Sequence, residues 1–342
     1  MKIQLVAQTD FGKERSNNED NFIVVPQLND AGKIFSNGEI ISPDEKGTLL
    51  VVCDGMGGQN AGEVASQIAV VTIKNYFTEN KIGDSEIEIK KSLAESLLLA
   101  NKKIIQHAKD NPETKNMGTT AVLAYLKNGF AYISWTGDSR AYYYSTLHGL
   151  KQISKDHSMV QGLIDRGQLT EEQAFYHPQN NVIMQSLGDP ANKPKPGFVI
   201  RELFDGDIIL LCSDGLNGML HNHEIEKILK EQNDLVACAA KLIDDANAAG
   251  GHDNITVALS RITESGKVAV ELNTADPADP LSTLPTETRS HIKRNLLIVT
   301  VLFLIASACA YYFFMKRKST KAPANKQDTV VVKTDTLKEK KK

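Results

Sequence analysis

Four aspartates stand where the chain meets glycine. Asp54 follows five apolar residues in "LLVVCDGMGG", and Asp214 repeats the form in "IILLCSDGLNG". Asp253 lies in "GGHDNIT", just ahead of an apolar strand pattern, and Asp138 lies in "WTGDSR" at the end of another. Each reads as a strand terminus, where glycine lets the backbone approach a ligand and expose its carbonyl. Clustered carboxylates repel and are costly to bury unless a cation neutralises them. A donor set made only of oxygens suits hard ions such as Mg2+ or Mn2+. One Asp-Gly is most often a turn. Four, two of them closing near-identical apolar runs, point to a shared task.

A cationic partner precedes these acids. In "TDFGKERSNNEDNF", Arg15 comes before Glu19 and Asp20. A guanidinium fork matches phosphate oxygens through charge-assisted hydrogen bonds. Alone, the stretch reads as a polar loop with a surface ion pair. Beside a carboxylate cluster, it suggests a phosphorylated substrate. Cysteine chemistry is disfavoured. A thiolate phosphatase needs an Arg after five intervening residues, but Gln59 follows Cys53 there and Gly218 follows Cys212. Three of the four cysteines sit in apolar runs, as buried reduced thiols do.

The elements that must position these residues are legible. "IQLVAQT", "NFIVVP" and "TLLVVCD" read as strands. Helical patterns follow from about Ala61 to Phe77 and through "SEIEIKKSLAESLLLANKKIIQHA". Asn128-Gly129 marks a hairpin turn inside an antiparallel meander. Residues 158–176 look helical and irregular. "DGDIILLCSDG" is a further strand, with short helices at about 222–231 and 234–248, and "DNITVALSRI" closes the domain as a strand. Helices in pairs between antiparallel strands make the fold α+β.

Taken in order, "RSNNED", "DGMGG", "MGTT", "TGDSR", "KDHS", "LCSDG" and "GGHDNIT" resemble the metal-dependent protein phosphatase 2C family in its bacterial form, over residues 1–263. The resemblance implies two antiparallel β-sheets packed as a sandwich and flanked by helical pairs. It implies hydrolysis of phosphoserine and phosphothreonine at two Mn2+ or Mg2+ ions, with a metal-activated water as the nucleophile. Asp54 would bridge the two ions, the Gly55 carbonyl would ligate one directly or through water, and Asp214 and Asp253 would complete the other site. Asp138 would help to hold a third, weaker metal. Arg15 would grip the phosphate. Of Glu19 and Asp20, strand neighbours that point to opposite faces, one would reach the metal-bound waters. Animal relatives often carry His where this chain has Met56, so the leaving-group proton would come from metal-bound water, His157 or His177. Residues 158–185, with "HPQNN", resemble the family's flap. A Ser/Thr kinase partner is implied by the resemblance alone.

Two other classes of function are weighed against this one. A pseudophosphatase would bind phosphoproteins without turnover, and its usual sign is loss of a metal carboxylate. Asp54, Asp214 and Asp253 are all present, which favours the enzyme. A membrane anchor whose tail does the work has little sequence to support it. Nucleic acid is disfavoured as a partner. Residues 316–342 hold ten Lys/Arg and three Asp/Glu, which leaves 29 basic and 39 acidic residues in 1–315.

Residues 264–294 read as a disordered linker with Pro277, Pro280 and Pro285, residues 295–315 as a transmembrane helix, and residues 316–342 as a basic, disordered tail. The uncharged run Leu296–Met315 has 20 residues, and a helix of that length rises roughly 30 Å, the thickness of a bilayer core. The Lys/Arg balance favours a cytoplasmic tail. The N-terminus lacks the apolar core of a signal peptide, which favours a cytoplasmic catalytic domain, and that orientation is the one expected. The full chain should therefore fractionate with membranes, and a chain ending near Glu264 should stay soluble. Alkaline phosphatase fused after Lys342 should be active, and a cytoplasm-only fluorescent protein there should be dark. The reverse pattern would place the tail inside.

Overall fold

The structure, a computed structural model, describes residues 1–267 apart from 31, 34 and 58–60. The span at 295–315, the tail and nearly all of the linker lie outside the described residues. Among those described, no helix is long and apolar enough to cross a membrane.

In chain order the strands and helices begin with β1 (Lys2–Asp10), β2 (Asp20–Val25), β3 (Ile40–Ile41), β4 (Thr48–Met56), α1 (Ala61–Glu79) and α2 (Glu86–Asp110). The meander follows as β5 (Gly118–Thr119), β6 (Ala121–Lys127), β7 (Phe130–Thr136), β8 (Arg140–Ser145) and β9 (Gly149–Gln152). Next come α3 (Met159–Asp165), α4 (Glu171–Phe175), β10 (Gly197–Glu202) and β11 (Ile208–Cys212). The remaining elements are α5 (Asp214–Asn217), α6 (Asn222–Glu231), α7 (Leu235–Ala248) and β12 (Ile255–Glu264).

The strands form two antiparallel sheets. One runs β3-β1-β12-β11-β8-β9, and the other runs β10-β7-β6-β4-β2, with β5 paired to the end of β4. Strand periodicity explains the layering. Leu50 and Val52 of β4 face inward and pack with Leu5, Ile209 and Leu211 of the opposite sheet. Leu49, Val51 and Cys53 face outward onto Ile73, Phe77 and Leu97 of α1 and α2. A strand covered on both faces is apolar without alternation, which is why "LLVVC" is continuous. On the other outer face, Leu210, Cys212 and Leu259 pack on Leu229, Cys238 and Leu242. Helices, two sheets and helices thus make four layers.

Local chemistry fixes the connections. Asn128 and Gly129 both have positive φ, 52° and 82°, the backbone a two-residue hairpin between right-twisted strands requires. Ser85 caps α2 in a capping box with Glu88.

The glycine after Asp54 proves to have a packing role. A Cβ on Gly55 would stand 2.2 Å from the Gly62 carbonyl oxygen and 2.5 Å from that of Glu19. The start of α1 lies directly on β4, and only glycine fits between them. Backbone atoms on both sides leave no side chain to swing away. Gly55→Ala should therefore cost about 1–3 kcal/mol of stability, read from the denaturant midpoint at unchanged slope. An unmoved midpoint would show that the two backbones separate freely.

Candidate active site

The carboxylates collect at one end of the sandwich because strand parity puts them there. Phe22 and Val24 of β2 face the intersheet core, and so do Leu50 and Val52 of β4. Two residues on from each pair, along the same faces, come Asp20 and Asp54. They are direct cross-strand partners in the β2–β4 register. Like charges in that relation oppose the pairing.

The backbone of Asp54 is held from both sides. Its N–H donates to Thr120 Oγ1 at 3.0 Å, and its carbonyl accepts from Thr119 Oγ1 at 2.8 Å and from the Thr120 N–H at 2.8 Å. Thr120 Oγ1 lies 2.6 Å from Ser139 Oγ, which ties "MGTT" to the turn carrying Asp138. Asp54 does not end its strand as expected. β4 runs on to Met56, because Gly55 and Met56 pair with β5. Asp214 opens α5, Asp253 precedes β12, and Asp138 sits in the turn between β7 and β8.

The neighbouring acids Glu19 and Asp20 are held differently. Asp20 is buried, and Ser213 Oγ and Thr256 Oγ1 both donate to its Oδ2, at 2.7 and 2.6 Å. Glu19 lies just ahead of β2, where its carboxylate feels Arg15 and Asp253, and its Oε2 would stand 2.6 Å from a Cβ on Gly62. The Glu19 backbone also takes part. Its carbonyl accepts from the Gly55 N–H, and its N–H donates to Asn254 Oδ1.

Electrostatics shows how unsupported these charges are. Burial, then the charges of Asp214, Asp20, Asp138 and Asp253, push the Asp54 carboxyl well above the ordinary range. Asp214 beside it is pushed up to about 6, by burial first and then by Asp253. Burial pushes Asp20 up to about 8 despite its two hydroxyl donors. Asp138 is likewise raised well above the ordinary range, by burial and then by Asp214 and Asp156, and its Oδ1 is buried with no hydrogen-bond partner. Two arginines stand by, both already engaged. Arg140 gives three hydrogen bonds to Asp156, and Arg15 Nη2 lies 2.6 Å from Asp253 Oδ2. Among the described residues, no three His, Cys, Asp or Glu side chains draw together tightly enough to hold an ion as they stand. The oxygen-only donors and the unpartnered Asp138 oxygen nonetheless suit a hard divalent cation. No thiol competes. Burial pushes Cys53 well above its ordinary range and Cys212 up to about 12.

Beside these groups lies a cleft of about 650 Å3, lined by Arg15, Asp138, Asp214 and Asp253 and also by Phe175 and His221. A scan against family models matches residues 39–247 to protein phosphatase 2C. The chain belongs to the protein phosphatase 2C family. It is a serine/threonine phosphatase of that type. It is 35% identical over 264 residues to the serine/threonine phosphatase stp of Listeria monocytogenes, covering 77% of this chain and 98% of that one. It is 38% identical over 268 residues to the protein phosphatase PhpP of Streptococcus pneumoniae, covering 77% and 98%. Among solved structures it resembles the catalytic domain of the phosphatase PstP in complex with two manganese ions, at 29% identity and a TM-score of 0.62, covering 77% of this chain and 99% of that one.

In this phosphatase neither histidine considered for the leaving group lines the cleft. His157 stacks on Trp135, and its Nδ1 accepts from the Gly137 N–H, so it braces the Asp138 turn. His177 Nδ1 accepts from the Gln179 N–H inside the flap. Two residues that do matter carried weaker signals. His252 lines the cleft, with its Nδ1 2.5 Å from Glu14 Oε1, parallel to the Arg15–Asp253 pair. Asn254 donates to the carbonyls of Phe11 and Asn17 and so staples the Arg15 loop to the Asp253 loop. An asparagine buried directly after a ligand-type aspartate was the available sign.

The raised carboxyls set a pH dependence. A carboxyl titrates near 3.8 ordinarily, and Asp214 and Asp20 titrate at about 6 and about 8 in the fold. What they contribute to stability is present below about pH 4 and is lost as pH rises to about 8. In EDTA, the melting temperature should be lower at pH 8 than at pH 6, and excess Mn2+ should flatten that slope. A flat profile in EDTA would contradict the burial of these charges.

Proposed function

We propose that this phosphatase hydrolyses phosphoserine and phosphothreonine in proteins at a site for two Mn2+ or Mg2+ ions. The convergence of Asp138, Asp214 and Asp253 on one cleft, with Asp54 and Asp20 buried beside them, supports the reading. Asp54, with the Gly55 carbonyl, Asp214 and Asp253, would hold the two ions, and Asp138 a third. When bound, the ions neutralise the carboxylates and lower the pKa of the water that attacks phosphorus.

The protein's own groups do the rest. Arg15 sits at the rim, half-exposed, where its fork reaches an incoming phosphate. Its partner Asp253 keeps it aimed, and Glu14–His252 holds the loop that carries it. Ser213 and Thr256 hold Asp20 from the opposite sheet, so the acid cannot swing out to solvent. The buried cysteines take no part. We further propose that the run at 295–315 tethers the enzyme to a membrane with its catalytic domain on the cytoplasmic side, where it opposes Ser/Thr kinases.

Phosphate release from a phosphothreonine peptide should require Mn2+ or Mg2+, vanish in excess EDTA and survive thiol alkylation. Asp54→Asn should lose at least about a hundredfold in kcat at saturating metal, the scale of removing one preorganised charged group. Arg15→Ala should chiefly raise KM. Full turnover in EDTA would refute the metal reading, and a near-native Asp54→Asn enzyme would refute the bridging role.

A further inference from the structure

The flap is fastened at two levels. Its base closes where Met159 N–H donates to the Val182 carbonyl at 2.9 Å and Met184 N–H donates to the His157 carbonyl at 2.7 Å. An isolated bridge between Ser158 and Ile183 joins the same pair of segments. Lys155 and Asp165, 2.8 Å apart, secure α3 near that base. The outer part, α4 and Tyr176, has a different anchor. Among the described residues, its polar and ring contacts beyond the flap all go to His221. Phe175 stacks on the imidazole with centroids 4.0 Å apart and planes at 26°. Tyr176 meets it edge-on at 5.9 Å, with its hydroxyl 3.3 Å from Nε2. Glu172 Oε2 lies 3.9 Å from Nδ1.

His221 is itself well founded. It precedes α6, its N–H donates to Glu224 Oε2 at 2.8 Å, and its ring stacks on His223 at 5.5 Å. The chain reaches it from Asp214 through α5 and a short turn. One end of this stretch thus carries a site carboxylate, and the other carries the post on which the flap rests.

The cleft runs between the two. Its volume of about 650 Å3 falls within the ~300–1,000 Å3 range of pockets that enclose a whole small-molecule ligand, far more than a phosphate group fills. Phe175 and His221 themselves line it. We propose that His221 is a positioning residue for specificity. Its stack with Phe175 holds α4 as the outer wall of the cleft, and that wall meets the peptide on either side of the phosphorylated residue. This rests on the phosphatase reading of the site and adds to it a determinant of which phosphopeptides bind.

The test uses the full chain with Mn2+, a phosphothreonine peptide, and amide hydrogen exchange of residues 170–177. His221→Ala should raise both the exchange rate of that segment and the peptide KM about three- to tenfold, the weight of one aromatic stack, with kcat changed less than about twofold. His221→Phe keeps the ring on Phe175 and should restore both. Should His221→Ala not fold, Phe175→Ala makes the same cut from the flap side and should give the same pair of changes. Exchange and KM both unchanged would overturn the proposal, and so would faster exchange with an unchanged KM. p-Nitrophenyl phosphate separates the claims. If the parent chain does not hydrolyse it, the phosphatase reading falls and takes this proposal with it. If the parent does, and the peptide KM ignores His221, only the role of His221 fails.

Discussion

Asp20 and Asp54 face each other across two paired strands, in register and on the same face. The architecture of the site follows from making that arrangement tolerable. Two hydroxyls from the opposite sheet, on Ser213 and Thr256, donate to one of the acids. The other lies beside a third aspartate, Asp214, whose charge adds to the cost of burying it. Neither arrangement removes the charge, and burial drives both acids upward. A fold that spends register, burial and hydroxyls on concentrating negative charge has prepared a place for something positive. Arg140 does not fill that place, because Asp156 already takes three of its hydrogen bonds.

The scaffold can hold such a load because it is stiff where the charges sit. β4 is buried on both faces, between α1 and α2 on one side and the opposite sheet on the other. Its end is locked by close backbone contact. A Cβ at Gly215 would stand 2.1 Å from the Asn254 carbonyl oxygen, much as one at Gly55 would strike Gly62. The glycines expected to let the backbone approach a ligand are also contact points between backbones. They let β2, β4, α1 and the loops before α5 and β12 converge within a few ångströms. The flap is the opposite case, with a small helix resting on one aromatic post.

Much of this was legible in the sequence. Continuous apolar runs marked β4 and β11, whose two faces are both covered, and Asn128-Gly129 marked its hairpin. The aspartates stood out through their shared position after those runs. What escaped notice depended on contacts between distant segments. β10 is partly exposed along its length and follows Pro194 and Pro196, so it carries little strand signal, and pairing with β7 makes it a strand. The role of Asn254 needs the Arg15 loop to arrive from more than 230 residues away. Of Glu19 and Asp20, only Asp20 lies in β2, opposite Asp54, and Glu19 precedes the strand, so the parity that the sequence suggested does not choose between them. His157 and His177 drew attention by type, and both serve local backbone geometry.

The central claim is that the buried carboxyls hold protons which a divalent cation displaces. Calorimetric titration of Mn2+ into metal-stripped protein at pH 6, repeated in buffers of different ionisation enthalpy, measures that exchange directly. Metal binding that deprotonates its ligands releases protons. With Asp20 pushed up to about 8 and Asp54 higher than its ordinary range, the account predicts saturable binding with net release of about one proton or more per chain. Binding without proton release, or no binding at all, would contradict it.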